Sequence, residues 1–210
     1  MKTVTSDLYV LLDQAYAFFN QALFASELPP VAITLQRKKA AYGYFHAKKF
    51  QSKTGQESSE IALNPDAFLK RDERTILSTL VHEMVHVWQH EFGKPSRNSY
   101  HNKEWARKMK QVGLIASDTA EPGGKSTGQR VSHYIEANGP FDVQCKMFIQ
   151  DNHAAITWGS VRDQTSSALK PVSKVKFTCP ACGQNAWAKP TASLKCGLCD
   201  EAMLGEALDD

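Results

Sequence analysis

Thr79-Leu80-Val81-His82-Glu83-Met84-Val85-His86-Val87-Trp88 is the stretch from which the rest of the chain is read. It sets H-E-x-x-H inside a helical run. Ile76, Leu77, Leu80, Val81, Met84, Val85 and Trp88 recur at helical spacing and form a broad core-facing stripe. Two histidines four apart lie on one helical face, one turn apart, so both imidazoles reach a single metal ion. Glu83 stands beside the first and can take a proton from water at that ion. Chance would put H-E-x-x-H into a chain this long with a probability of roughly one per cent. The apolar stripe speaks against a solvated helix that merely carries two histidines. A buried helix with His82, Glu83 and His86 as its polar stripe suits the floor of a cleft.

A hydrolytic zinc site commonly has three protein ligands and one open position. The compact metzincin pattern would need Gly at 89 and His at 92, where the chain has Gln89 and Phe92, so that class is excluded. The third ligand is expected at His101, ahead of a second helical run and after a turn-rich link through Gly93, Pro95, Ser96, Asn98 and Ser99. Glu104 is the runner-up. His90 continues the stripe but falls too far along to share the ion.

Four of the five cysteines form Cys179-Pro180-Ala181-Cys182 and Cys196-Gly197-Leu198-Cys199, a spacing close to the zinc-ribbon template. Four thiolates make a closed tetrahedral site with no open position for chemistry. Two zinc ions are therefore expected, one catalytic and one structural. The N-terminus shows no apolar signal segment, which argues against disulfides and for a cytoplasmic, nucleoid-associated or nuclear protein. Cys145 reads as a small buried apolar residue. With 210 residues, 42% of them hydrophobic and 22% charged, the composition is that of a soluble globular chain. No run is apolar enough to span a membrane. The net charge of +3 permits an acidic partner without demanding one.

The remaining elements follow from periodicity and breakers. A helix is expected from Ser6 to Phe24, capped by Ser6 or Asp7 and stopped by Leu28-Pro29-Pro30. Strand-like runs at Val31–Gln36, Tyr42–Phe50 and Glu60–Leu63 suggest an antiparallel meander. The motif helix should begin near Asp72 and fray after Glu91, and the helix carrying Trp105, Met109 and Val112 should end at Gly113. Residues 116–130 read as a mobile loop, 131–136 as a strand, 140–149 as a helix with proline first, 154–158 as a strand and 165–170 as a linker. The fold class is α+β, with zincin-like helices on a small antiparallel sheet and a C-terminal ribbon. The domains are expected at 1–115, with a connecting region at 116–170 and the ribbon at 171–210.

His82-Glu83-Met84-Val85-His86, His101-Asn102-Lys103-Glu104-Trp105 and Ile61-Ala62-Leu63-Asn64-Pro65 together resemble the SprT-like metalloprotease family, as does the order of elements. The four-cysteine ribbon is similar to that of bacterial and phage-type members. A eukaryotic relative, Spartan, is a DNA-dependent protease that degrades proteins crosslinked to DNA. One departure is Asn102, where the family often has glycine after the ligand histidine. The resemblance implies a zinc endopeptidase acting on DNA-associated proteins. His82, His86 and His101 would hold the catalytic ion, Glu83 would be the general base, and Cys179, Cys182, Cys196 and Cys199 would hold the structural one.

Tyr100, His133 and Tyr134 are candidates by type for stabilising the oxyanion. Lys and Arg residues in the sheet region, the second helix and the ribbon permit DNA as a partner, single-stranded or damaged. Phe177 and Trp187 could stack on unpaired bases. The alternatives are a zinc peptidase with no nucleic-acid role and a non-proteolytic zinc-binding adaptor linked to nucleic acid or transcription. An intact Glu83 counts against the adaptor.

Overall fold

The motif helix is central to the first of two units in the computed structural model, Met1–Val161 and Arg162–Asp210. Residues 3–97, 100–152, 156–161 and 174–206 are described. Helix α2 spans Glu73–Phe92. Asp72 caps it by accepting from the backbone N–H of Thr75 at 2.7 Å. Its apolar stripe is almost wholly buried, with Leu80, Val81, Met84 and Val85 all at 0% exposure. Burial of such a stripe, rather than intrinsic propensity, supplies most of a helix's stability.

Helix α1, Val4–Phe24, starts earlier than its periodicity suggested. Thr3 is the cap, and its side chain and that of Ser6 bond reciprocally to each other's backbone N–H. This capping box overrides the weaker local signal at Ser6 and Asp7. The helix closes at Ala25 in the left-handed conformation.

The sheet is mixed, which corrects the expected meander. Strands β1 (Ala32–Leu35), β2 (Gly43–Gln51) and β3 (Glu57–Leu63) lie in the order β1-β3-β2. β1 runs parallel to β3 and β2 antiparallel to it. Burial explains the order. Every residue from Ser59 to Leu63 is buried, so β3 takes the centre, whereas Lys48 to Gln51 of β2 are exposed and suit an edge. Where β2 begins it approaches α2 closely. A Cβ on Gly43 would meet Thr79 Cγ2 at 3.0 Å and Glu83 Oε1 at 3.1 Å, so glycine is what lets the strand lie over the motif glutamate.

A short 3-10 helix, Pro65–Lys70, leads into α2. Helix α3 (Lys103–Gln111) follows it, and Gly113, at φ 83°, turns the chain into β4 (Leu114–Ser117). β4 pairs antiparallel with β5 (Ser132–Ile135), and α4 (Pro140–Asn152) follows with proline at its first position. Val131, Phe141, Cys145 and Phe148 belong to the same buried cluster as α1 and α2. The rings of Phe18, Phe19, Phe141 and Phe148 stack α1 on α4 at 5.2 to 5.7 Å. Asp142, 2% exposed, pins α4 to the start of α2. It accepts from Lys146 Nζ at 2.9 Å, the Asn138 N–H at 2.9 Å and Arg74 Nε at 2.8 Å. Led by Lys146, these donors hold its carboxyl at about 2.

The strand expected at 154–158 is not formed by Ile156, Thr157 and Trp158, and residues 154 and 155 lie outside the described residues. The linker expected at 165–170 also lies outside them. Among the described residues, no helix is long and apolar enough to cross a membrane.

The second unit is a three-stranded sheet, β7-β6-β8, built from β6 (Val175–Thr178), β7 (Asn185–Ala188) and β8 (Leu204–Gly205). Its two cysteine turns repeat one geometry. Gly183 N–H returns to Cys179 O, and Asp200 N–H to Cys196 O, each at 2.9 Å. Both donors sit at positive φ, 73° and 57°. Glycine serves the first turn, and aspartate, one of the residues that tolerates this region, serves the second.

Candidate metal centre

Helix α2 carries His82 and His86 one turn apart, and the residue before the α3 cap brings His101 against them. The three offer ring nitrogens that all lie within 4.8 Å of one another. His86 Nε2 and His101 Nε2 stand 3.2 Å apart. A tetrahedral ion with bonds of roughly 2.0–2.1 Å would separate two ligand nitrogens by about 3.3–3.4 Å, so the His86–His101 pair is spaced for zinc, with the third ring close by.

The hydrogen bonds behind the rings determine which nitrogen faces inward. Ser78 Oγ donates to the Thr75 carbonyl at 2.8 Å, which leaves its lone pairs for His133 Nε2–H at 2.9 Å. His133 Nδ1 is then an acceptor, and His82 Nδ1–H donates to it at 3.0 Å. His82 Nε2 is thereby left with its lone pair free. His101 is oriented in the same way, with Nδ1–H on the Gly128 carbonyl at 3.2 Å and Nε2 inward. A paired bridge between His101 and Gly128 holds that carbonyl in place. Such outer partners set the tautomer and raise ligand basicity.

Electrostatics agree with this arrangement. Burial, then the neighbouring imidazoles, lowers His82 well below its ordinary value, and His86 falls to about 3 for the same reasons. His101 is lowered and His133 falls to about 4, both chiefly by burial. All four are therefore neutral at pH 7, the form that can ligate a metal. Trp105, 0% exposed, walls the group off, with ring distances of 4.9, 5.1 and 4.3 Å to His82, His86 and His101.

Glu83 is 5% exposed, and burial raises its carboxyl to about 8. A cation in the centre would favour the ionised form. Three carboxylates are buried among the described residues: Glu60, Glu83 and Asp142. Glu60 accepts from Thr34 and Asp142 from three donors, while Glu83 has no hydrogen-bond partner. It lines a cleft of about 930 Å³ together with the three histidines, β2 and β5.

Glu104, the runner-up ligand, is occupied elsewhere. It accepts from Gln89 Nε2 at 2.9 Å and from the Lys94 N–H at 2.7 Å. Asn102, the departure from the usual glycine, caps α3 through the Trp105 N–H at 3.0 Å and also bonds Gln89 and the Lys94 carbonyl. His90 lies against Phe45, outside the cluster. His133 has both ring nitrogens engaged, which removes it as a free oxyanion donor. Tyr134 lines the cleft, whereas Tyr100 packs beneath Arg97. Ser78 was within reach of sequence reasoning, being one turn before His82 on the same face. Nothing in the sequence marked Gly128.

A bond to His133 that sets the His82 tautomer makes a measurable prediction. His133→Phe keeps a ring and removes both bonds, so zinc affinity at this centre should fall about 10- to 100-fold. Competition with a fluorescent chelator would measure it, and an unchanged affinity would refute the relay.

In the ribbon the four sulfurs also lie within 4.8 Å of one another, with Cys182 Sγ and Cys196 Sγ 3.7 Å apart. The backbone N–H groups of Cys199 and Leu198 lower the Cys196 thiol to about 7, toward the thiolate a metal needs. All five cysteines are free of disulfides. An α+β protein with three converging neutral imidazoles and a separate four-cysteine group fits a zinc-binding protein.

The comparisons give the family. The SprT-like family model matches residues 12–125, more than half of the chain. A Salmonella typhimurium relative, described as an uncharacterized protein in the mucB 3' region, is 52% identical over 54 residues. That stretch covers 26% of this chain and 69% of the relative. The chain belongs to the SprT-like family.

Proposed function

We propose that this protein is a zinc-dependent endopeptidase acting on DNA-associated or DNA-crosslinked proteins, with His82, His86 and His101 as ligands and Glu83 as general base. The observation that carries the reading is the buried Glu83 carboxyl, left without a hydrogen-bond partner among the described residues beside three inward-facing imidazoles. The other two buried carboxylates among the described residues both accept hydrogen bonds, Glu60 from Thr34 and Asp142 from three donors. When bound, zinc would supply a water of lowered pKa and a Lewis acid for the peptide carbonyl. Glu83 takes the proton of the attacking water and delivers it to the leaving amine. Strand β2 is the edge of its sheet, and its first residues line the cleft, so an extended substrate segment can pair with it.

The nucleic-acid part rests on the ribbon. Of its two aromatics, Phe177 is buried at 5% exposure and lies against Gly205, which corrects its candidacy for base stacking. Trp187 is 63% exposed and sits directly across the ladder from Lys176. An exposed indole beside a cation suits an unpaired base. Degradation of a protein held on single-stranded DNA should exceed that of the same protein free. Trp187→Ala should reduce the DNA-dependent part, and raising the salt should erase it first. Equal rates with and without DNA would leave a zinc peptidase with no nucleic-acid role, and no cleavage of any protein would favour the adaptor.

A further inference from the structure

We propose that Arg71 is a carboxylate-recognising residue in the substrate cleft, so that the preferred substrates carry an acidic side chain or a free C-terminus close to the bond that is cut. This rests on the peptidase reading and adds a substrate class to it.

Arg71 lies just before α2 and lines the same cleft as Glu83 and the histidines. It is held in place on several sides. Nη1 donates to Thr79 Oγ1 at 3.1 Å and Nη2 to the Thr75 carbonyl at 2.9 Å. The Tyr42 ring covers it, with the guanidinium carbon 4.2 Å from the ring centroid. Thr79 is one turn before Glu83 on α2, and Tyr42 immediately precedes the Gly43 that lies over Glu83. The anchored guanidinium therefore opens onto the same cleft as Glu83 and the histidines, where a bound substrate can meet it.

The position is unusual for a cation. Arg71 is only partly exposed, yet among the described residues no carboxylate forms an ion pair with it. Neutral oxygens and an aromatic face hold two of its five donors and leave the rest. Asp72 is close enough to act on it through space but makes no ion pair with it among the described residues. Asp72 is committed to capping α2, and His133 on the facing strand is neutral with both nitrogens bonded. The neighbouring cation, Arg74, is by contrast paired with Asp142. A positioned, half-desolvated guanidinium with spare donors favours a planar carboxylate that can bond two N–H groups at once. The other cleft cations, Lys38 and Arg130, are exposed; Lys38 lies over the Tyr44 ring at 4.2 Å as a point charge, and both add a positive field rather than a planar fork of donors.

The test uses the whole zinc-loaded chain and paired quenched peptides that differ only in Asp against Asn at each position flanking the scissile bond. A second pair differs in free against amidated C-terminus. A charge-assisted bond of this kind predicts a ratio of kcat/KM of about 10- to 100-fold in favour of the carboxylate peptide of one pair. The pair that responds identifies which carboxylate is read. Arg71→Gln should bring that ratio to about one, and Arg71→Lys should restore part of it. A purely structural role would slow both members equally and leave the ratio intact. The same peptides bound to the Glu83→Gln protein, followed by fluorescence anisotropy, make the test independent of turnover. A carboxylate preference in binding with no cleavage would overturn the peptidase reading alone. A ratio near one in the unsubstituted protein, or one unchanged in Arg71→Gln, would overturn the role of Arg71.

Discussion

Glu83→Gln is expected to abolish hydrolysis, with a fall of roughly 10³-fold or more, while both metal sites stay loaded. The amide keeps the shape and volume of the side chain and loses only the base. Little else in the protein should shift, because the Glu83 carboxyl has no hydrogen-bond partner to lose among the described residues. The same substitution has a second signature in the metal-free protein. Burial raises the Glu83 carboxyl from 4.5 to about 8, so between those values the folded chain holds a proton that the unfolded chain releases. Folding stability from this group therefore falls as pH rises from about 4.5 to about 8. Glutamine removes that penalty. Metal-free Glu83→Gln should be no more stable than the parent at pH 4 and clearly more stable at pH 8, as followed by urea unfolding. Hydrolysis retained in the variant would show that another group is the base.

His101→Ala should release the ion from the three-histidine centre and leave the ribbon zinc in place. Zinc peptides with four ligands bind with about 10–16 kcal/mol, so one ligand accounts for on the order of 3 kcal/mol, or roughly 10²–10³ in affinity. Metal analysis after dialysis should fall from two zinc ions per chain to one. Glu104→Ala should keep both, because its carboxylate bonds Gln89 and the Lys94 N–H rather than facing the centre. The opposite result would make Glu104 the ligand and His101 an outer residue.

Much of this site could be read before the fold was known. The i, i+4 spacing of His82 and His86 places them on one face of any helix, and helical periodicity identified that helix from its own residues. His101 was legible for a weaker reason, as a histidine next to a helix start after a link able to reverse the chain. What that reasoning missed was the packing of the link itself. Asn102, Gln89, Glu104 and the backbone of Lys94 bond one another across the turn. His133 was visible only as a residue type, because its role depends on β5 lying beside α2, a pairing of residues 51 to 55 positions apart.

The sequence by itself determined what depends on near neighbours. This covers the four long helices, the placing of β1 to β3 and β5, the paired cysteine turns, and which histidines and cysteines are candidate donors. The tertiary structure alone decided the strand order and the direction of the imidazoles. It also decided that Phe177 is buried while Trp187 is exposed, and that neutral oxygens and the Tyr42 ring hold Arg71, with no carboxylate in an ion pair with it among the described residues. The division has a physical cause. Helical and turn geometry is set by dihedral preferences and contacts within a few residues, which a linear reading contains. Strand order depends instead on which strand can bury both faces. A histidine tautomer depends on a partner brought in by a distant segment, and neither is encoded at any one position.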